Sequence, residues 1–150
     1  MATKYQAKDI AEYFIWKAHT SEQELLSNMK LQKLLYYAQG LHLAIGNGAL
    51  FDDEIRAWNY GPVVPEIYHK YKTNGKSGIS LKEGYTPGVI DPATQEFLDE
   101  VYDVFGQFSA IRLMEISHQD ECWKTAFPDG EITPESMEKC LKKYLIDGKN

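Results

Sequence analysis

Leu31, Leu34, Leu35, Ala38, Leu41, His42 and Ile45 recur at the spacing of one helix face, so residues 29–45 read as a long helix with an apolar side that other elements must cover. Lys30, Lys33 and Gln39 fall outside that side. Ser27 or Asn28 stands where an amino-terminal cap belongs. Gly46-Asn47-Gly48 ends the helix: Gly46 suits the left-handed terminal conformation, and the Asn-Gly pair suits a turn.

Shorter helical segments flank this central one. Ile10, Ala11, Phe14, Ile15 and Ala18 mark a first helix, with Asp9 and Glu12 near the end where the macrodipole favours negative charge. Pro65 is preorganised to begin another, whose buried face is Val64, Ile67, Tyr68 and Tyr71. Asp91-Pro92 starts a helix that carries Phe97, Leu98, Val101, Tyr102 and Phe105 inward and stops at Gly106. Ser109 caps a short one through Ile111, Leu113, Met114 and Ile116. Thr133-Pro134 opens the last, with Met137, Cys140, Leu141 and Tyr144 inward, and Lys139, Lys142 and Lys143 read as a solvated face that complements its dipole.

Two stretches do not read as helix. Residues 50–60 alternate loosely at period two and predict a short extended arm or hairpin. Residues 73–88 gather Gly75, Gly78, Gly84, Pro87 and Gly88 and predict an irregular surface loop. The expected architecture is mainly α: a compact helical bundle of about six or seven helices, with residues 1–150 as one domain, monomeric and folded without a partner.

Composition limits the function classes. The 150 residues are 43% apolar and 25% charged, which supports a core and a solvated exterior. Sixteen Lys and Arg against twenty-two Asp and Glu give a charge of −6, which disfavours nucleic acid and membrane surfaces as partners. The amino terminus lacks an apolar leader and no stretch is long enough to span a bilayer, so a cytoplasmic chain is expected. On that expectation Cys122 and Cys140 read as reduced thiols.

Candidate chemistry concentrates in His118-Gln119-Asp120-Glu121-Cys122-Trp123. His118 and Cys122 at four-residue spacing would share a helix face and could begin a metal site, but His19, His42 and His69 lie on separate segments without ligand spacing. Ser117 or Cys122 beside His118 would need an oriented base, and sequence neighbours on a helix do not face each other. Asp52-Asp53-Glu54 reads as exposed charge. No phosphate-cradling glycine motif follows a strand. We therefore expect no catalytic residue, metal or cofactor; a small hydrolase using the His118 region is the rival reading.

Three segments carry a resemblance: residues 30–40 (KLQKLLYYAQG), residues 57–68 (AWNYGPVVPEIY) and residues 117–124, from Ser117-His118 to Trp123-Lys124. In order and spacing they are similar to the Panacea domain, the family of phage-associated GepA-type proteins and SocA-type antitoxins. The resemblance implies a compact helical antitoxin, phage or prophage associated, that neutralises a protein toxin encoded by an adjacent gene through direct contact. A protease is a second partner on this implication, if the toxin is delivered for degradation instead. Cys122 departs from the family pattern, where a proline or small residue commonly precedes the tryptophan.

The motif residues Lys33, Tyr36, Tyr37, Gly61, Pro62, Pro65, Tyr68, His118 and Trp123 are expected to be structural. Partner contact is expected in less constrained parts, above all in the arm that carries Phe51, Asp53, Trp58 and Tyr60. Trp and Tyr are the commonest interface anchors, and Pro62 and Pro65 stiffen the arm so that ordering it costs little.

Overall fold

The computed structural model describes residues 5–21 and 24–149. The reading of the amino terminus falls partly on residues 1–4, outside the described residues. Eight α-helices are found among the described residues: α1 (Ala7–Thr20), α2 (Asn28–Ala44), α3 (Pro65–Tyr71), α4 (Pro92–Phe105), α5 (Ala110–Ser117), α6 (Glu121–Ala126), α7 (Pro134–Cys140) and α8 (Lys142–Lys149). The fold is mainly α. The last expected helix is broken at Leu141 into α7 and α8. No described helix is long and apolar enough to cross a membrane.

Cap chemistry sets most of the helix starts. The side chains of Ser27, Asp91, Ser109 and Thr133 accept from the backbone N–H groups of Lys30, Thr94, Arg112 and Ser136. At α1, Asp9 reaches back to the Gln6 N–H at 2.8 Å, and the Asp53 carboxylate accepts from the Ala7 N–H at 2.9 Å.

Helix α2 runs through the middle and packs against α1, α3, α4, α5, α7 and α8. Leu31, Leu34, Leu35, Tyr36, Tyr37 and Ala38 have no exposed surface. Gly40 lets α7 approach, because a Cβ there would overlap the Leu141 side chain. The expectation that Lys33 and Gln39 lie outside the buried face is wrong: both are buried, as are Gln32 and Asn28. A helix covered on nearly all sides has no solvent face for them, and each is instead used to bind the backbone of a segment packed against α2.

Residues 50–63 show that use. Strand β1 (Arg56–Trp58) pairs antiparallel with β2 (Gly61–Val63), with Trp58 opposite Gly61. This is the hairpin expected near residues 50–60. Gln39 donates to the Phe51 carbonyl at 2.7 Å and accepts from the Leu50 N–H at 2.7 Å. Gln32 accepts from the Val64 N–H at 2.8 Å, and Asn28 donates to the Tyr68 carbonyl at 3.0 Å. These amides satisfy backbone groups that lack a strand partner, which would otherwise be costly to bury.

Residues 129–132 close the other side of β1. Ala57 donates to the Gly130 carbonyl at 2.9 Å, Asp129 to the Ala57 carbonyl at 2.7 Å, and Ile132 to the Ile55 carbonyl at 2.8 Å. The loop after α3 is irregular as expected, apart from short 3-10 turns at Lys72–Asn74 and Pro87–Val89. It is pinned where Ile79, itself buried, donates to the Leu26 carbonyl at 2.7 Å.

Candidate functional site

The hairpin, α6 and the segment after α6 meet at one end of the molecule. Gly61 makes the tight return from β1 to β2 with φ +108°, a conformation that L side chains rarely adopt. Its Cα also lies against Lys33 and Ser117, so no Cβ fits. Beneath this turn the Lys33 amine is fully buried and donates to the Pro62 carbonyl at 3.2 Å. Desolvation pulls its pKa down to about 7.

His118 and Trp123 support the same turn from outside. Helix α5 ends at Ser117 and α6 starts at Glu121, so His118 and Cys122 do not share the helix face expected from their spacing. Asp120 at the α6 cap interrupts the helix. His118 instead lies flat on Trp123, ring centroids 4.2 Å apart, and its Nε2 is 3.1 Å from the Asn59 carbonyl. Trp123 donates from its indole to the Trp58 carbonyl at 3.0 Å and stacks on Phe127 at 4.7 Å. Both partners are backbone of the hairpin turn. Among the described residues no three His, Cys, Asp or Glu side chains are placed to hold a metal.

Behind them lies a polar hub that sequence reasoning missed. The Asp120 carboxylate is fully buried and accepts from the hydroxyls of Tyr36 at 2.9 Å, Tyr37 at 3.0 Å and Tyr144 at 2.8 Å. Lys143 reaches it at 2.9 Å, which corrects the reading of Lys143 as part of a purely solvated face. Burial, with the Asp120 charge adding to it, pushes the Tyr36 and Tyr37 hydroxyls well above the ordinary tyrosine range. The reduced-thiol reading is corrected as well: Cys122 and Cys140 are paired as a disulfide between α6 and α7, with Cα atoms 5.8 Å apart. The chain reversal between the two helices brings together cysteines separated by 18 positions.

The four residues expected to touch a partner separate by location. Phe51 has no exposed surface and is a core residue; the structure removes it from the accessible set. Asp53 is occupied with the start of α1. Trp58 is half-buried, with Tyr68 and His69 edge-on to its ring and its indole N–H donating to Asp129 at 3.0 Å. Tyr60 sits at the turn with 61% of its surface exposed. The accessible aromatic surface of this end therefore includes Trp58, Tyr60, His118, Trp123 and Phe127, with Tyr68 and His69 beside Trp58.

Residues 31–124, from the fourth residue of α2 through the middle of α6, match the family described as "Antitoxin SocA-like, Panacea domain". The chain is also similar to "Antitoxin SocA" of Caulobacter vibrioides (strain NA1000 / CB15N), 33% identical over an alignment of 103 residues that covers 62% of this chain and 55% of the relative. The aligned part thus spans little more than half of that relative's length. No solved structure matches.

Proposed function

The chain belongs to the SocA-like antitoxin family of Panacea domains, and from that premise we propose that it is an antitoxin, a single non-enzymatic domain that neutralises a protein toxin by binding it. The observation that carries this reading is where the family match falls: residues 31–124 take in the central helix, the hairpin and the His118–Trp123 buttress that together build the aromatic end. The polar groups near that end are engaged in holding structure. Lys33 binds the Pro62 carbonyl, His118 the Asn59 carbonyl, and Asp120 three tyrosines. What faces outward is a surface.

The toxin is taken to be the product of an adjacent gene. Trp58 and Tyr60 are the proposed anchors, Trp58 because its ring is already fixed by Tyr68, His69 and Asp129, so that little side-chain freedom is lost on contact. Co-expression with the neighbouring small reading frame tests the reading. Growth arrest by that product alone, relieved by this chain and accompanied by co-purification, is the expected result. Failure to relieve arrest would reject it. Relief that persists in a host lacking its ATP-dependent proteases identifies binding, and not delivery for degradation, as the neutralising step.

A further inference from the structure

We infer that Cys122 and Cys140 form a reversible thiol–disulfide site, opened by the low-molecular-weight thiol glutathione, that sets how firmly the outer support of the hairpin is held. Its effect on toxin binding rests on the antitoxin reading above. These are the chain's two cysteines, one on α6 and one at the end of α7, and the bond between them closes residues 123–139 into a loop.

That loop braces the hairpin from outside. Trp123 donates to the Trp58 carbonyl, Asp129 donates to the Ala57 carbonyl and accepts from the Trp58 indole, Gly130 accepts from the Ala57 N–H, and Ile132 donates to the Ile55 carbonyl. Residues 127–133, between the two helices, have no helix of their own, so their order depends on these bonds and on how the ends of the loop are held. Opening the disulfide returns conformational freedom to the loop. Met137 and Leu141 stay buried, with Leu141 seated over Gly40 of α2, so the bundle itself does not depend on the bond.

Both sulfurs have a polar partner waiting in the reduced state. The Tyr36 hydroxyl gives its proton to Asp120, which leaves its oxygen, 3.2 Å from Cys122 Sγ, to accept from a Cys122 thiol. The Cys122 backbone N–H lies 3.1 Å from Cys140 Sγ and donates to a thiolate there. Cys140 is half-buried and Cys122 only 5% exposed, so an incoming thiolate attacks the Cys140 sulfur. A mixed disulfide forms at Cys140, and the Cys122 sulfur leaves with the bonding pair and takes up a proton. A second glutathione attacks the glutathione sulfur of that bond and releases the Cys140 thiol with glutathione disulfide. The protein gains two electrons and two protons, and the two thiols supply both.

The folded full chain is equilibrated in buffers of reduced and oxidised glutathione, and its thiols are trapped with iodoacetamide and counted by intact mass. The expected result is a two-thiol transition in these buffers. Hydrogen exchange at the Ala57, Asp129 and Ile132 amides should be about ten-fold or more faster in the reduced chain, beyond any change at the Ile79 amide, which is bonded to Leu26 outside the loop. Cys140→Ser, with its melting checked by circular dichroism, should exchange like the reduced chain in every buffer. A pair that glutathione opens only in denaturant, or never closes, overturns the inference, as does equal exchange at the three amides in both states. The two redox forms are then compared in capturing the product of the neighbouring reading frame, where the reduced form should bind about ten-fold more weakly because its surface is less preorganised. Equal capture overturns the link to binding while the antitoxin reading stands. Capture by neither form rejects the antitoxin reading, and the exchange data still decide the thiol–disulfide site.

Discussion

The side-chain nitrogen of Lys33 lies 3.2 Å from the carbonyl oxygen of Pro62, a contact that joins the central helix to the hairpin across 29 positions of sequence. Both residues are buried, and among the described residues no carboxylate is paired with the amine there. An uncompensated ammonium in such a place is costly, so the group releases its proton far more readily than an exposed lysine does.

Stability should consequently rise with pH from about 7 toward 10.5. Below about 7 the folded and unfolded chains both hold the Lys33 proton and the desolvation penalty is fully expressed. Above it the folded chain sheds the proton that the unfolded chain keeps up to the ordinary value of 10.5, so the penalty is relieved. Past 10 the trend reverses, because the unfolded tyrosines ionise while Tyr36 and Tyr37 stay protonated in the fold. Urea midpoints measured across this range should trace the rise and fall, and Lys33→Met should remove most of the rise, leaving the smaller part due to Lys30, whose pKa burial also lowers, and the alkaline fall. A Lys33→Met profile that climbs as steeply between pH 7 and 10 would assign the effect to another group.

Asp120→Ala should cost about 3–5 kcal/mol of unfolding free energy, since it leaves three hydroxyls without their acceptor and Lys143 without its ion pair. Tyr144→Phe removes one donor only and should cost about 1 kcal/mol. Chemical denaturation distinguishes the two. Equal losses would mean that the hub is not held by Asp120.

Gly61→Ala should destabilise by about 2 kcal/mol or more, through positive φ and through overlap with the buried Lys33 side chain. Gly46→Ala meets no neighbouring atoms and should cost less, although its φ is also positive. Comparing their melting temperatures separates backbone strain, common to both, from packing at Gly61 alone.

Trp58→Ala should weaken a complex with the toxin by about 2 kcal/mol or more, as expected of a buried aromatic anchor. Trp123→Ala should weaken it as well, but with a drop in melting temperature, because its indole holds the Trp58 carbonyl and its ring supports His118. Calorimetric binding alongside circular dichroism melts reads both quantities. Full binding by Trp58→Ala and Tyr60→Ala together would move the contact away from the hairpin.

Local chemistry made the helix starts readable: Ser27, Asp91, Ser109 and Thr133 cap where their residue types, and for Asp91 and Thr133 the following prolines, indicate. Tyr36 and Tyr37, singled out as motif residues and not by helical periodicity, are buried. Gln32, Lys33 and Gln39 were not legible as core, since helical periodicity assumes one wet side and α2 is enclosed by the rest of the fold. The role of Asp120 as a hub was invisible because its partners Tyr36 and Tyr37 lie more than 80 positions away. At the candidate contact face, Trp58 and Tyr60 could be singled out by residue type. Asp129 could not, because the segment that carries it is too short to show a strand pattern.

That segment has a consequence for how the hairpin meets other chains. With residues 129–132 bonded along one side of β1 and β2 along the other, β1 offers no unpaired row of amides and carbonyls. On the far side of β2, Pro62 has no N–H to give, its carbonyl is taken by Lys33, and the Val64 N–H is taken by Gln32. A strand from a second copy or from a toxin finds no template to extend, so high local concentration should not drive edge-to-edge polymerisation through this sheet. Whatever recognises the hairpin has to read its side chains, and selectivity can then change by surface substitution without disturbing the hydrogen-bonded frame beneath.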